Sequence, residues 1–277
     1  MPDALHHESV PGPDSELASE PAPEPTSAPV AGRDPGRLIG VSLGPGDPEL
    51  ITRRAWAALQ SPARWVYPIK GKGADSYALD IARRAGLTVP ADAQALHFPM
   101  TSDRETLNLA WASAGLRCLE LVRDGRDLLF LVEGDASTYS TFGHLARSVR
   151  GLGIAVETIP GVASFNAAAA QLGEPLVEED ETLAVIPAAY GIEVIDGLID
   201  QFDTLVLLKV KPLLDPLLDL LERRGLLAHA SFVERVGATD ERVVRDLARL
   251  RGERVAYLSL LVVRRCLRPT RAPRRVA

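Results

Sequence analysis

The chain has 277 residues, 46% of them hydrophobic and 25% charged, with a net charge of -6 at neutral pH. That length bounds one or two domains with room for a sizeable core, and the acidic balance argues against a general nucleic-acid binder. Its two cysteines, Cys118 and Cys266, share no metal or redox spacing and its five histidines form no ligand cluster, so the sequence predicts no metal site and a reducing, cytoplasmic setting.

Residues 1–36 are a Pro, Ala, Glu and Ser tract without hydrophobic periodicity and read as a disordered tail. The stretch opens with acidic and proline residues rather than a basic then apolar leader, so secretion is not expected. Apolar alternation or runs then predict strands at 37–43, 64–67, 127–132 and 155–159, and helical spacing predicts helices at 49–60, 77–85, 104–123, 141–150 and 165–172. Strands alternating with helices imply a mainly parallel sheet. A polar break at 173–181 interrupts the pattern, which resumes with strands at 182–187, 204–210, 229–236 and 255–263 and helices at 194–201, 213–225 and 241–250. The expectation is two α/β domains, 37–176 and 177–266, with a cleft between them and a basic tail at 267–277. No apolar run reaches the length of a membrane span.

Three strand-end loops carry the chemistry. The first, "LGPGDPEL" at 43–50, follows a strand with Gly and Pro and precedes a helix. Gly44 and Gly46 fit two positions of a dinucleotide fingerprint, but Glu49 stands at the third and no G-K-[ST] follows. Asp47 and Glu49 would repel a phosphate. The simplest reading is a rigid turn that caps the helix at Glu49. The second loop, "LVEGDASTYSTFGHL" at 131–145, puts Gly134 where a ligand can approach backbone and Asp135 where a carboxylate can hold a cationic or hydroxyl group. An equally good reading makes Asp135 a helix cap with Ser137 and Thr138 in its turn. The third, "IPGVASF" at 159–165, places Ser164 as an N-cap.

In this order and at these separations the loops resemble those of the tetrapyrrole (corrin/porphyrin) methylase family, which moves a methyl group from S-adenosylmethionine to a tetrapyrrole carbon. The likeness covers about residues 37–265. "GVSLGPGDPELIT" resembles the family's first motif, "EGDASTYSTF" its central G-D-P motif and "IPGVASF" its P-G-[VI]-[TS]-S motif, while "ERVGATDERVV" is similar to the segment that closes over the cofactor. Longer stretches, "FPMTSDRETLNLAW", "YSTFGHL", "SFNAAAAQLGEPLVEEDETLAVIP" and "TLVLLKV" with "ERVVRDL", resemble the branch that methylates precorrin-2 at C20. Two departures stand out. Ala136 replaces the Pro of the central motif, which removes a fixed φ angle. Pro68 stands where uroporphyrinogen-III methylases carry an Asp.

The resemblance implies a fold of two α/β domains of the tetrapyrrole methylase type, with the active site in the cleft between them. It implies S-adenosyl-L-methionine as methyl donor, no metal, and conversion of precorrin-2, or its cobalt form, to a C20-methylated product in cobalamin biosynthesis. Carried over residue by residue, the cofactor contacts are Pro45, Glu133, Gly134, Asp135, Thr138, Ala163, Ser164, Leu208, Lys209 and Val236, with Asp135 holding a polar end of the cofactor. Gly44 and Gly46 are expected to floor the tetrapyrrole cleft. Arg104, with Arg53, Lys70, Lys72 and Arg235 as further candidates, is expected to meet substrate carboxylates. Asp47, Tyr139 and Asp135 are the candidates to pass on the C20 proton. A homodimer is expected, without nucleic-acid or membrane partners. The competing classes are a dinucleotide-dependent reductase, disfavoured by the missing third Gly, and a non-enzymatic tetrapyrrole carrier.

Overall fold

A computed structural model of the chain describes residues 34–71, 73–101 and 103–265. Strands β1 (Leu38–Ser42), β2 (Arg64–Ile69), β3 (Gln94–His97), β4 (Leu128–Val132) and β5 (Val156–Ile159) form an all-parallel sheet in the order β3-β2-β4-β1-β5. Helices α1 (Arg53–Leu59), α2 (Tyr77–Arg84), α3 (Arg104–Val122) and α4 (Phe142–Gly151) are the crossovers between consecutive strands. A parallel sheet covered on both faces needs apolar residues on both, and the continuous run of β4 supplies them. Leu128, Phe130 and Val132 pack with Cys118, Leu121, Leu145 and Val149 of α3 and α4. Leu129 and Leu131, pointing the other way, pack with Leu59, Leu79 and Ile81 of α1 and α2. Gly40 in β1 is required by this packing, because a Cβ there would lie 2.5 Å from the Phe142 ring.

The second half is a mixed sheet. Strands β6 (Leu183–Pro187), β7 (Thr204–Leu208), β8 (Ala230–Glu234), β9 (Arg242–Val244) and β10 (Ser259–Arg264) lie in the order β6-β7-β10-β8-β9. β6 and β7 pair in parallel, and the remaining pairs are antiparallel. Helices α6 (Ile192–Ile199) and α7 (Leu214–Arg223) cover one face, with Ile195, Leu217 and Leu221 against Leu205, Leu207, Phe232 and Leu261. The opposite face is covered by α5 (Ser164–Leu172), whose Ala167, Ala168 and Leu172 pack on Val206, Val233 and Val262. The helix that follows the last parallel strand therefore ties the two sheets together. It ends at Gly173, whose φ of +67° forms a left-handed C-cap.

Several local expectations change. Residues 241–250 are not a helix: β9 pairs antiparallel with β8, and a 3₁₀ turn follows at Leu247–Leu250. Arg242 anchors that strand by ion pairs to Glu234 and Glu253 at 2.8 and 2.7 Å, and the β-branched Val243 and Val244 suit a ladder. The helix expected at 49–60 is shorter, because Asp47 caps a 3₁₀ turn at Pro48–Leu50 and Thr52 then caps α1. Strand β3 was not anticipated. β2 runs on through Pro68, which is tolerated because pairing with β4 stops at Val66. Gly36, the end of the expected tail, is buried and its N–H donates to the Val122 carbonyl. Residues 1–33 and the basic tail at 267–277 lie outside the described residues.

Candidate active site

Ligands of open α/β sheets bind beyond the carboxyl ends of the strands. Here the residues following each of the five parallel strands, Pro45, Lys70, Phe98, Glu133 and Ala163, line one cavity of about 430 Å³. The second half closes it with Leu208, Lys209, Arg235, Val236 and Tyr257. A second hollow of about 330 Å³ adjoins it and shares Phe98, Met100, Tyr139 and Lys209. Its wall includes Trp111 and His144, whose rings stack 4.1 Å apart and 2° from parallel.

The three glycine-bearing loops are joined as one piece. The Gly134 N–H donates to the Gly44 carbonyl at 2.7 Å, and the Gly44 N–H returns a bond to the Gly134 carbonyl at 3.2 Å. Both glycines have positive φ, +76° and +70°, a conformation other residues adopt at a cost. Asp135 then clips the second loop to the third. One carboxylate oxygen accepts from the Gly161 N–H at 2.8 Å, and the other accepts from the Ser137 N–H at 2.9 Å and from the Ser137 hydroxyl. Burial pushes its pKa up, but the bonds from Ser137 and Gly161 outweigh that and hold it below the usual Asp range. Ala136 does not leave the loop loose. Its N–H donates to the buried Ser42 hydroxyl at 2.9 Å, a bond that a proline there could not make.

Charge in the cavity is unevenly partnered. Arg235 is paired with Asp240 at 2.6 Å and lies 5.6 Å from the Tyr77 ring. The ammonium groups of Lys70 and Lys209 lie 5.2 and 5.9 Å from the centre of the Tyr257 ring, within cation–π range. Neither lysine side chain makes an ion pair among the described residues. Glu133 stands open to the cavity yet surrounded by protein, without a hydrogen bond or ion pair among the described residues. Burial pushes its pKa up against the opposing pull of Lys70 and Lys209. Tyr139, Lys209 and Arg235 have φ of +49°, +58° and +52° and all line the cavity, so backbone strain concentrates at this site.

The cavity thus brings together Pro45, Lys70, Glu133, Gly134, Asp135, Thr138, Tyr139, Ala163, Ser164, Leu208, Lys209, Arg235 and Val236 from among the sequence-derived candidates. Other candidates fall elsewhere. Gly46 is buried against the second half, where a Cβ would lie 2.5 Å from the Val236 carbonyl oxygen and 2.8 Å from the Tyr77 hydroxyl. Gly44 is buried beneath Leu50. These two glycines permit close packing between segments, and only Pro45 of that loop reaches the cavity wall. Asp47 is spent as a cap, accepting from the Glu49 N–H at 2.9 Å. Arg104 and Arg53 are exposed at helix starts away from the lining, and Lys72 lies outside the described residues. Ser164 is the first residue inside α5 and makes no cap bond, so Ala163 occupies the N-cap position. The Tyr139 hydroxyl donates to the Val185 carbonyl at 2.8 Å, which braces the second loop against β6. Sequence reasoning missed Tyr257, Tyr77 and the Trp111–His144 pair, because no local spacing marks them.

The sequence model described as Tetrapyrrole (Corrin/Porphyrin) Methylases matches residues 37–250. The chain is 32% identical over 231 residues to a probable cobalt-precorrin-2 C(20)-methyltransferase of Methanocaldococcus jannaschii, covering 83% of this chain and 96% of that protein. It is 34% identical over 229 residues to a cobalt-precorrin-2 C(20)-methyltransferase of Salmonella typhimurium, covering 82% and 96%. Among solved structures, uroporphyrin-III C-methyl transferase of Thermus thermophilus complexed with S-adenyl homocysteine superposes with a TM-score of 0.60 at 23% identity, covering 83% of this chain and 98% of that one, which establishes a shared fold.

Proposed function

The chain belongs to the tetrapyrrole (corrin/porphyrin) methylase family, and from that premise we propose that it transfers a methyl group from S-adenosylmethionine to C20 of precorrin-2 or of its cobalt form. The observation that carries this reading is the cavity beyond the ends of all five parallel strands, walled by the three loops that first suggested it. The residues present suit the methyl donor. A Cβ on Gly134 would meet nothing within 4 Å, so the space before that backbone is open to a ligand. Leu208 and Val236, both buried, offer an apolar wall for a flat base. The cofactor contacts are accordingly proposed at Pro45, Gly134, Asp135, Thr138, Ala163, Ser164, Leu208 and Val236, many through backbone groups.

S-adenosylmethionine supplies an already activated methyl group, so the protein's task is alignment and exclusion of water. The joined loops fix one wall, and the strained turns at Lys209 and Arg235 fix the other. The adjoining hollow, with Trp111, Phe98 and Met100, suits an apolar macrocycle. Lys70 and Lys209 suit its carboxylates. The names of both relatives described above favour the cobalt form as a second reading of the substrate.

S-adenosylhomocysteine should raise the melting temperature of the protein and NADPH should not. Incubation with labelled S-adenosylmethionine and either substrate, followed by NMR, should place the label at C20. A methyl at another carbon, or a shift with NADPH instead, would overturn the reading. We also propose a cytoplasmic homodimer. Leu109 and Leu116 on α3, one face apart by seven residues, are 65% and 55% exposed and give such an interface apolar surface. Light scattering at micromolar concentration should return twice the chain mass, and a monomer mass refutes it.

A further inference from the structure

Methylation at a meso carbon leaves C20 carrying both a methyl group and a hydrogen, and that hydrogen must depart as a proton. Among the described residues the cavity wall offers few acceptors. Asp135 already accepts bonds from Gly161 and Ser137, which stabilise its charge and make it a poor base. Asp47 is a cap outside the lining. The Tyr139 hydroxyl donates to Val185. His144 is excluded by its tautomer. The guanidinium of Arg147 can only donate, at 2.8 Å to Nδ1, so Nε2 carries the ring proton of the neutral imidazole and no free lone pair remains. Asp75 also lines the cavity, but on the loop before α2 and not at the end of a strand.

Glu133 is different. It follows β4, the central strand of the parallel sheet, and its exposed side chain opens into the cavity without a hydrogen bond or ion pair among the described residues. We propose that Glu133 is the catalytic base that accepts the C20 proton, an assignment that rests on the C20-methylation reading. The π electrons at C20 form the new carbon–carbon bond as the sulfur–methyl bond breaks, and the sulfur keeps that bond's electron pair. Positive charge then spreads over the macrocycle. The C20–H bond breaks, its electrons return to the ring, and the proton passes to the Glu133 carboxylate, which becomes neutral. It returns to solvent through the open side of the cavity.

The surroundings suit such a base. Lys70 at the end of β2 and Lys209 after β7 favour the ionised form, while the protein packed around the carboxylate opposes it and pushes the pKa up. Tyr77 on α2 also couples to Glu133, Asp135 adds negative charge from the same loop, and Arg235 and Tyr257 complete the charged or titratable groups of the wall.

The test compares Glu133→Gln and Glu133→Asp with the unaltered protein. Calorimetry with S-adenosylhomocysteine should give affinities within about threefold of one another, and turnover of Glu133→Gln at saturation should fall by about 10²–10⁴-fold. The acid limb of the unaltered protein's pH–rate profile should vanish in Glu133→Gln. Deuterium at C20 should slow that variant more than the unaltered protein, because proton removal becomes limiting. Glu133→Asp should recover part of the rate. If Glu133→Gln loses cofactor affinity and regains full turnover at saturation, or keeps turnover throughout, the assignment is wrong. Should Glu133→Gln fail to fold, the rate and isotope effect of Glu133→Asp decide instead. A product of the unaltered protein methylated elsewhere than C20 refutes the C20 reading itself, independently of either variant.

Discussion

Replacing both Lys70 and Lys209 by methionine should raise the KM for the tetrapyrrole by about a hundredfold or more, with S-adenosylhomocysteine affinity little changed. Each ammonium stands by the Tyr257 ring, and neither is paired with a carboxylate among the described residues. A cavity whose two lysines make no ion pair among the described residues suits an anionic ligand, and the proposed substrate carries several carboxylates. A charge-assisted bond contributes roughly 1.5–3 kcal/mol, or about ten- to a hundredfold in affinity for each lysine. Lys70 is exposed and screened by water, so its single variant belongs at the lower end. Lys209 is half-buried and held by a left-handed backbone, so Lys209→Met belongs at the upper end. Both effects should shrink as salt rises. Steady-state kinetics in both substrates, at low and high ionic strength, checks this. A loss confined to cofactor affinity would instead assign Lys209 to the cofactor, as the family resemblance implies.

Asp135→Asn should damage stability and cofactor affinity together. The carboxylate takes donors on both oxygens, from Gly161 on one side and Ser137 on the other. An amide has one acceptor, so its NH₂ must face a donor N–H on one side. The loss is about 1–3 kcal/mol, which for a chain of this size lowers the melting temperature by roughly 2–4 °C per kcal/mol. The same break lets Gly134 and Ala163 drift apart, and cofactor affinity should fall by about tenfold. The sign of the pH dependence follows from the depressed pKa. A lowered carboxylate contributes stability that is present above the unfolded pKa of about 3.9 and is lost as pH falls through the lower folded value. The difference in melting temperature between the two proteins should therefore be constant from about pH 5 to 8 and close only in stronger acid. Full stability with weakened cofactor binding would show that the Asp135 carboxylate itself, and not only its backbone, meets the cofactor and that it does not serve as a clip.

Much of the architecture was legible in the residues alone. The run "LLFLV" at 128–132 is apolar at every position, and a strand of that kind must be covered on both faces, as β4 is. Gly and Pro after three strands marked the loops that line the cavity, because positive φ and close backbone approach require them at Gly44 and Gly134. The polar break at 173–181 falls where the chain passes from one sheet to the other. Whatever depended on distant partners was not legible. Residues 241–250 have helical spacing, yet Val244 pairs with Phe232 and Arg242 with Glu234, and that ladder overrides local preference. The motif marks Gly46 as a site residue, but the 236–237 backbone packs against it and takes the space. Asp135 finds Gly161 across 26 residues, and Ala136 finds Ser42 across 94. Glu133 and Asp135 are neighbours of the same charge, two residues apart in one motif. Only the tertiary structure separates them, because what makes one a clip and leaves the other without a bonding partner among the described residues is whether folding brings N–H donors to the carboxylate.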